Sequence, residues 1–478
     1  MMFSLMIFFA VFIASIIAFV YFYEKEEIKQ TTIPGLKPSD PKYDYTEGNL
    51  ADLRKAGSLH EFLLETHKTH GPIISFWMGE KMTVSISSPE LFTEQNALFD
   101  RPPELFKFVE PMFGVRSIQY ANGAEGRLRR KLYDRPYSHH EVSLLYPLFN
   151  ELAEELTDKW TMLTNDQHIP LRNHMTALAL KSITKGSFGD YFNDDEAIKA
   201  FGKCYDIVWT EIENTVSATP SKPGSPEEKC YKLAIEQLQS MVAEVIEQRR
   251  NNPPTDGAHL LIDVILESSD DEEEITSDAS TFMVAGYHTS ANSMIWALYF
   301  LAMHTDVQDK HFKELSKILD RNVEITPDII MQMPYLQQVF DETLRCAAVA
   351  PWAARVNLDT DSTLGGHEIP KGTPVIQALG VSFRDEKVYP QPHTFDPERF
   401  SREQVKTRPP HAFEPFGFAG KRKCPGCKFA QNESYIYIAR IIRRFEIKMV
   451  PDQVITPVYG LVTYPDKEIW ITISERME

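Results

Sequence analysis

One short loop near the C-terminal end limits what this chain can fold into. Residues 416–426 read Phe-Gly-Phe-Ala-Gly-Lys-Arg-Lys-Cys-Pro-Gly, so Cys424 follows Arg422 by two positions and Gly420 by four, and Gly426 comes two later. Glycines at that spacing let the backbone turn where a Cβ would clash, and the loop presents one thiol. Backbone N–H groups with Lys421, Arg422 and Lys423 favour its ionised form. A thiolate held this way is what a haem iron takes as proximal ligand when the task is O–O bond cleavage. Other uses of a cysteine compete with this one. Cysteines are commonly small buried hydrophobes. Cys424 and Cys427 also have the C-x-x-C spacing of a redox pair. Half a zinc site is a further option, although no second C-x-x-C or histidine pair completes it. The five cysteines, Cys204, Cys230, Cys346, Cys424 and Cys427, are otherwise scattered, which suits a reducing compartment rather than a disulfide framework.

Three further motifs decide between these uses. Glu342 and Arg345 form an E-x-x-R; Phe395, Asp396, Pro397, Glu398, Arg399 and Phe400 follow it; Ala285, Gly286, Tyr287, His288, Thr289 and Ser290 precede both. In that order, and at those separations from the cysteine loop, they resemble the cytochrome P450 superfamily from about residue 33 to the C-terminus. The Gly-Phe-small-Gly form of the loop (residues 417–420), together with residues 57–63, 75–77, 130–133 and 470–472, is most similar to the orphan family 20 of the cytochromes P450. That resemblance implies no substrate. It does imply a mostly α fold with a minor β region, the cytochrome P450 (haem-thiolate) fold, carrying haem b (iron protoporphyrin IX).

The start of the chain points to a membrane. Residues 2–23 are apolar except for Ser4 and Ser15, and a charged run from Glu24 to Glu27 ends them. About 22 residues at a rise of about 1.5 Å reach roughly 33 Å, enough to cross a bilayer. The run is long for a signal peptide, and it has neither a basic segment before it nor a small-x-small site after it. Lys25 and Lys29 lie only on its C-terminal side, which places that side in the cytosol. The expected organisation is therefore a transmembrane anchor at 1–23, a hinge linker containing Pro and Gly at 24–45, and a haem-thiolate monooxygenase domain at 46–478. With the family resemblance, the expected location is the endoplasmic reticulum membrane, spanned once, with the catalytic domain facing the cytosol.

Within that domain, residues 71–86 read as a small β hairpin. Helical patterns dominate from Glu141 onward, with breaks at 220–226 and 251–257. The acidic residues 270–274 read as a solvated loop, after which Thr276 or Ser277 caps a helix. That helix is apolar on most faces over residues 281–304, so it is expected to be buried. Gly286 inside it costs about 1 kcal/mol relative to Ala and needs a packing or functional reason. Thr326 with Pro327, and then Pro334, mark two further helix starts.

The resemblance implies a role for each motif residue. Cys424 is the iron ligand and Thr289 supplies the hydroxyl that hydrogen-bonds dioxygen at the iron, although a threonine can also bond back to its own helix. Gly286 opens the helix for dioxygen, while Phe418 and Gly426 belong to the cofactor loop. Arg422, Arg355 and Arg130 meet the haem propionates, and Glu342, Arg345 and Arg399 form a buried charged triad. There are three departures from the pattern. His288 replaces the usual acid before Thr289, Gly126 stands where a tryptophan normally precedes Arg130, and Gly417 occupies the place of a phenylalanine. Histidine can relay protons near neutral pH, so His288 joins Thr289 as a candidate catalytic residue.

A net charge of −18 argues against a nucleic-acid partner. Against it stand basic clusters at Arg127, Arg129, Arg130 and Lys131, at Lys421–Lys423 with Lys428, and at Arg440, Arg443 and Arg444. The cluster around the cysteine loop is where an acidic electron donor, an NADPH-dependent reductase by the resemblance, would dock. Val349, Trp352 and Leu461 point to an apolar cavity suited to a small lipid- or sterol-like substrate, with O2 as co-substrate. The alternative is a haem-binding protein without oxygenase turnover, a sensor or isomerase-like protein in which His288 blocks the distal iron position.

Overall fold

The apolar run around residue 290 folds as a helix of 32 residues, Glu272–Met303, about 48 Å long. It starts earlier than the sequence implies. Asp271 is the N-cap, its carboxylate accepting the N–H groups of Glu273 and Glu274, so the acidic run forms the first turn rather than a loop. Carboxylates there are favoured by the unpaired N–H groups and by the helix dipole.

The computed structural model describes residues 32–36, 47–164, 166–193, 195–216, 219–253, 259–320, 323–417 and 422–476. The expected anchor at 1–23 and most of the hinge at 24–45 lie outside these residues. Among the described residues no helix is long and apolar enough to cross a membrane. The longer helices are α1 (Leu59–His70), α2 (Gly123–Tyr133), α3 (Tyr146–Thr161), α4 (Leu171–Ser187), α5 (Asp195–Val216), α6 (Pro226–Asn251), α7 (Glu272–Met303), α8 (Thr305–Ile318), α9 (Pro334–Ala347) and α10 (Cys427–Arg444). α7 packs along α4 and also touches α6, α9 and α10.

The β region is small, as expected. The hairpin is β1 (Ile73–Met78) with β2 (Lys81–Ile86). β3 (Ala353–Arg355) and β4 (Val375–Gln377) extend it into a sheet ordered β1-β2-β4-β3, with β2 and β4 parallel. A second hairpin near the C-terminus joins β5 (Pro457–Tyr459) to β6 (Thr463–Pro465). The Pro-Gly part of the hinge does not stand free. Ser75 of β1 donates to Pro34 O (2.8 Å) and accepts from Leu36 N–H (3.0 Å). Gly35 has φ +151°, and a Cβ there would lie 2.0 Å from Ser75 O, so only glycine can follow this path.

Buried polar contacts fix how the helices sit. Asp278 of α7 is fully buried and accepts from Arg129 (2.6 Å), Tyr133 (2.6 Å) and the Ile118 N–H (2.7 Å), tying α2 to α7. The third basic cluster is also internal. Arg440 donates to Asn150 Oδ1 (3.1 Å) and Arg443 to Leu319 O (2.8 Å), so both serve packing rather than a surface patch.

Glu433 of α10 is fully buried beside Ser182 and Ser290, and burial pushes its carboxyl up to about 8. A raised carboxyl contributes no penalty below the unfolded value of about 4.5 and destabilises progressively as pH rises towards 8. Glu433→Gln is therefore expected to melt close to wild type at pH 4.5 and to gain on it as pH rises, by a few kcal/mol (order of magnitude) at pH 8. Melting temperatures of both proteins across this range check it, and a constant difference would contradict it.

Candidate active site

Hydrogen bonds hold the described ends of the cysteine loop in place. The Cys424 N–H donates to Phe416 O (3.0 Å), Arg130 Nη2 donates to Lys423 O (2.6 Å), and Arg355 Nη2 donates to Arg422 O (3.4 Å). Gly417 turns the chain with φ +74°, which accounts for a glycine where the superfamily pattern has phenylalanine. Phe418, Gly420 and Lys421 lie outside the described residues. Gly426 caps α10 and aims its N–H at the Cys424 sulfur. Cys427 is the first residue of α10, with its thiol facing Gln431 Oε1 at 3.6 Å and pushed up to about 11 by burial. The two sulfurs thus occupy different surroundings, one in the loop and one on the helix.

Cys424 is accessible, yet burial still dominates its titration and raises the thiol. Its accessible face therefore borders interior space rather than the outer surface. The cations opposing that rise are Arg130, Arg101 and Lys423, whereas Arg422 turns away from the sulfur. Arg422 donates to Ile118 O (2.9 Å) and Ala121 O (3.1 Å) and lies 4.6 Å over the Phe99 ring. Of the three loop cations expected to stabilise the thiolate, Lys423 does so, Arg422 is spent on backbone carbonyls, and Lys421 lies outside the described residues. Local cations do not offset the cost of burying a bare thiolate, whereas a metal ion deprotonates a coordinating thiol outright.

Arg101, Arg130, Arg355 and Arg422 come together beside this loop. Burial, then Arg130 and Arg355, lowers Arg422 to about 9; burial and Arg130 lower Arg355 to about 10. Arg101 is pushed well down by burial and by the other three. Its side chain donates to Gln119 and its N–H to Asn122 Oδ1 (2.9 Å). Arg101 was not legible in the sequence, because nothing local distinguishes it from a surface arginine before two prolines. Arg422 Nε and Nη1 are buried without a hydrogen-bond partner. Crowded guanidiniums with unmet donors suit an anionic ligand. The two carboxylates of haem fit that donor set, and the accessible Cys424 sulfur fits its iron.

The second group lies on α7. Thr289 and Ala285 are accessible, one turn apart, within a helix otherwise largely buried. The Thr289 hydroxyl donates to Ala285 O (2.8 Å), the back-bond anticipated as the alternative to a catalytic role. Gly286 faces α4, where a Cβ would lie 2.5 Å from Ile183, so close helix packing accounts for this glycine. The His288 ring lies 4.7 Å from Trp209 and 5.4 Å from Tyr205 of α5, and 6.0 Å from Tyr464. Burial, with Arg172 adding to it, lowers His288 to about 3, so the imidazole is neutral at physiological pH.

A buried ion pair supports the loop side. Arg345 donates to Glu342 through Nε (2.7 Å) and Nη2 (2.8 Å), with both side chains fully buried. Arg399 Nε approaches Glu342 Oε1 at 3.4 Å.

An accessible cysteine on a glycine-turned loop, an arginine cradle and an E-x-x-R pair behind it define a haem-thiolate protein. The chain belongs to the cytochrome P450 family, whose profile, described as Cytochrome P450, matches residues 38–472. It is similar to Cytochrome P450 20A1 of Rattus norvegicus, 33% identical over 98% of this chain and 99% of that protein. The same protein of Homo sapiens is 31% identical over 98% and 99%. Cytochrome P450 4V2 of Mus musculus is 26% identical over 86% of this chain and 83% of its own length. The protein is accordingly an oxidoreductase, a haem-dependent monooxygenase using O2 and a redox partner.

Replacing each sulfur tests the assignment of the ligand. Cys424→Ser is expected to abolish the thiolate-type absorption of the reduced, carbon monoxide-bound protein, and Cys427→Ser to retain it. The reverse pattern would move the ligand to α10.

Proposed function

We propose that this protein is a membrane-anchored monooxygenase that inserts one atom of O2 into a small apolar, lipid- or sterol-like substrate, drawing electrons from an NADPH-dependent reductase. The observation that carries this reading is the pairing of an accessible Cys424 beside the arginine cradle with the accessible Ala285–Thr289 turn of a buried helix. Cys424 would hold the iron, and Arg101, Arg130, Arg355 and Arg422 the propionates. Bound there, haem supplies the activation of dioxygen, one atom of which enters the substrate while the other leaves as water.

The protein's own residues bind, orient and move protons. Thr289 Oγ1 holds its proton at Ala285 O, and its lone pairs remain able to accept another. His288 is neutral, so it can pass a proton only by giving from one ring nitrogen while accepting at the other. Its Nδ1 is buried and has no hydrogen-bond partner, which leaves that nitrogen available. Trp352 and Leu461, with Phe106 stacked 5.7 Å from Trp352, pack in one apolar cluster and Val349 is buried in another, which supports an apolar substrate. Arg127, Lys131, Lys423 and Lys428 are exposed and supply the basic face for an acidic reductase. The anchor reading rests on the apolar residues 2–23, the cytosolic side of the domain on Lys25 and Lys29 after them, and the endoplasmic reticulum location on the family.

Spectral titration with a panel of lipids and sterols tests the substrate class, and the absence of both binding shifts and turnover across the panel would overturn it. Thr289→Ala is expected to keep the carbon monoxide spectrum and to divert electrons from product into peroxide. Loss of acid–base assistance is worth about 100-fold or more in coupled turnover. His288→Ala should do the same if the imidazole relays protons; an unchanged peroxide yield would leave His288 a packing role. Stopped-flow absorbance with peroxide quantitation reads both variants.

A further inference from the structure

The C-x-x-C spacing of Cys424 and Cys427 has no part in binding iron, for which one sulfur suffices. The backbone nevertheless builds the two residues as a pair. Pro425 and Gly426 form a turn between them, and Gly426 has φ −77° and ψ 10°. Those angles are close to the third residue of a type I turn, whose second position favours proline. Such a turn keeps its first and fourth Cα atoms within about 7 Å, and disulfides bridge Cα atoms roughly 4.4–6.8 Å apart. Cys427 then opens α10.

Both cysteines are free thiols, Cys424 accessible and Cys427 half-buried. The Cys427 thiol faces Gln431 Oε1 at 3.6 Å, a long contact for a weak donor. Lys428 Nζ reaches the same oxygen at 3.5 Å, so turning the Cys427 sulfur towards Cys424 leaves Gln431 with a donor. Among the described residues no third ligand gathers with the pair to hold a metal ion. Exchange between the two sulfurs is the chemistry that this turn prepares.

We propose that Cys424 and Cys427 close a disulfide in the haem-free protein, and that this bond gates cofactor loading by withdrawing the sulfur that haem needs. The switch rests on Cys424 as the iron ligand. With glutathione disulfide as oxidant, one cysteine thiolate attacks a glutathione sulfur and releases the first glutathione thiolate. The other cysteine then attacks the mixed disulfide and releases the second. The cysteines lose two electrons and two protons, and both pass to the departing glutathiones as thiols. Haem and disulfide compete for one sulfur, so bound haem protects the pair. A bond on a short accessible loop is of the labile, sensing kind found in reducing compartments.

Haem exchange tests the switch. Haem-loaded full-length protein is mixed with excess apomyoglobin, which draws the haem off, and is equilibrated in glutathione buffers of graded thiol-to-disulfide ratio. After the myoglobin is removed, haemin is returned and its binding read from the ferric absorption spectrum, with mass spectrometry of the alkylated peptide spanning residues 424–427. Oxidised wild type is expected to carry a peptide closed to alkylation and to lose haem uptake, which dithiothreitol restores. Cys427→Ser keeps the ligand but can form only a mixed disulfide, so its uptake should fail in buffer about tenfold or more oxidising. Cys427→Ala stands in if the serine variant does not fold. Wild type left with its haem should resist the buffers that close the haem-free pair. Loss of uptake at the same ratio in wild type and variant, or an alkylatable pair in oxidised wild type, overturns the switch and leaves the ligand assignment standing. Absence of thiolate-type absorption in reduced, haem-loaded wild type overturns both.

Discussion

The buried pair of Glu342 and Arg345 is the interaction on which the cysteine side of the molecule depends. Two charges taken wholly out of water pay a desolvation cost that their mutual attraction offsets only with good geometry and further hydrogen bonds. Both conditions are met. Besides its two bonds from Arg345, Glu342 accepts the Asp396 N–H at 2.9 Å. Arg345 donates onward to the carbonyls of Phe383 (2.9 Å), Pro392 (2.8 Å) and Thr394 (3.2 Å). The pair therefore acts as a template that gathers an irregular stretch with little secondary structure of its own. Arg408 continues the task by donating to Arg399 O (2.6 Å) and lying over the Tyr389 and Phe400 rings. From there the chain runs directly into the cysteine loop. Removing one partner of such a pair strands the other charge, at about 3–5 kcal/mol.

The opposite electrostatic situation holds on the other side of that loop. Four arginines crowd together, and three of them are shifted down by burial and by one another. Backbone carbonyls of Ile118, Ala121 and Lys423 relieve part of the repulsion. Only anions can relieve the rest, so binding of an anionic cofactor and stability of this region are coupled. Whatever binds the folded state alone stabilises it.

What was legible in the sequence follows from this division. Residues whose signal is local could be read directly: the hairpin around Gly79, the Thr326 and Pro334 helix starts, and the Glu342–Arg345 spacing. Residues defined by a distant partner could not. Glu213 and Leu461 are 248 positions apart, and Arg129 and Asp278 are 149 apart. Charge misled twice, since residues 270–274 cap a helix instead of looping out and Arg440 and Arg443 are interior. The departure at Gly126 has a steric cause. A Cβ there would lie 2.3 Å from Ala121 O and 3.1 Å from the Phe99 ring, so this backbone leaves no room for the usual tryptophan. Arg130 nevertheless reaches the cysteine loop, because its position depends on α2 and not on that neighbour.

The two sides of the molecule differ in what it takes to disturb them. The Cys424 side rests on buried ions whose separation leaves uncompensated charge. The Thr289 side is covered by α5 through ring contacts at Trp209 and His288 and one hydrogen bond from Leu461 to Glu213. Aromatic pairs are worth about 0.5–1.5 kcal/mol beyond their area, and a single hydrogen bond contributes a net of about 1 kcal/mol. Parting α5 from α7 and the hairpin therefore breaks few directional bonds. A neutral His288 belongs to this arrangement. A charged acid at that position would need a counterion or water, and it could not pack edge-on against tryptophan without a large desolvation cost. The exchange of acid for imidazole thus trades a permanent charge beside Thr289 for an apolar contact that lets α5 close over it. The half that holds the sulfur is fixed by buried ions, and the half that holds Thr289 by ring contacts.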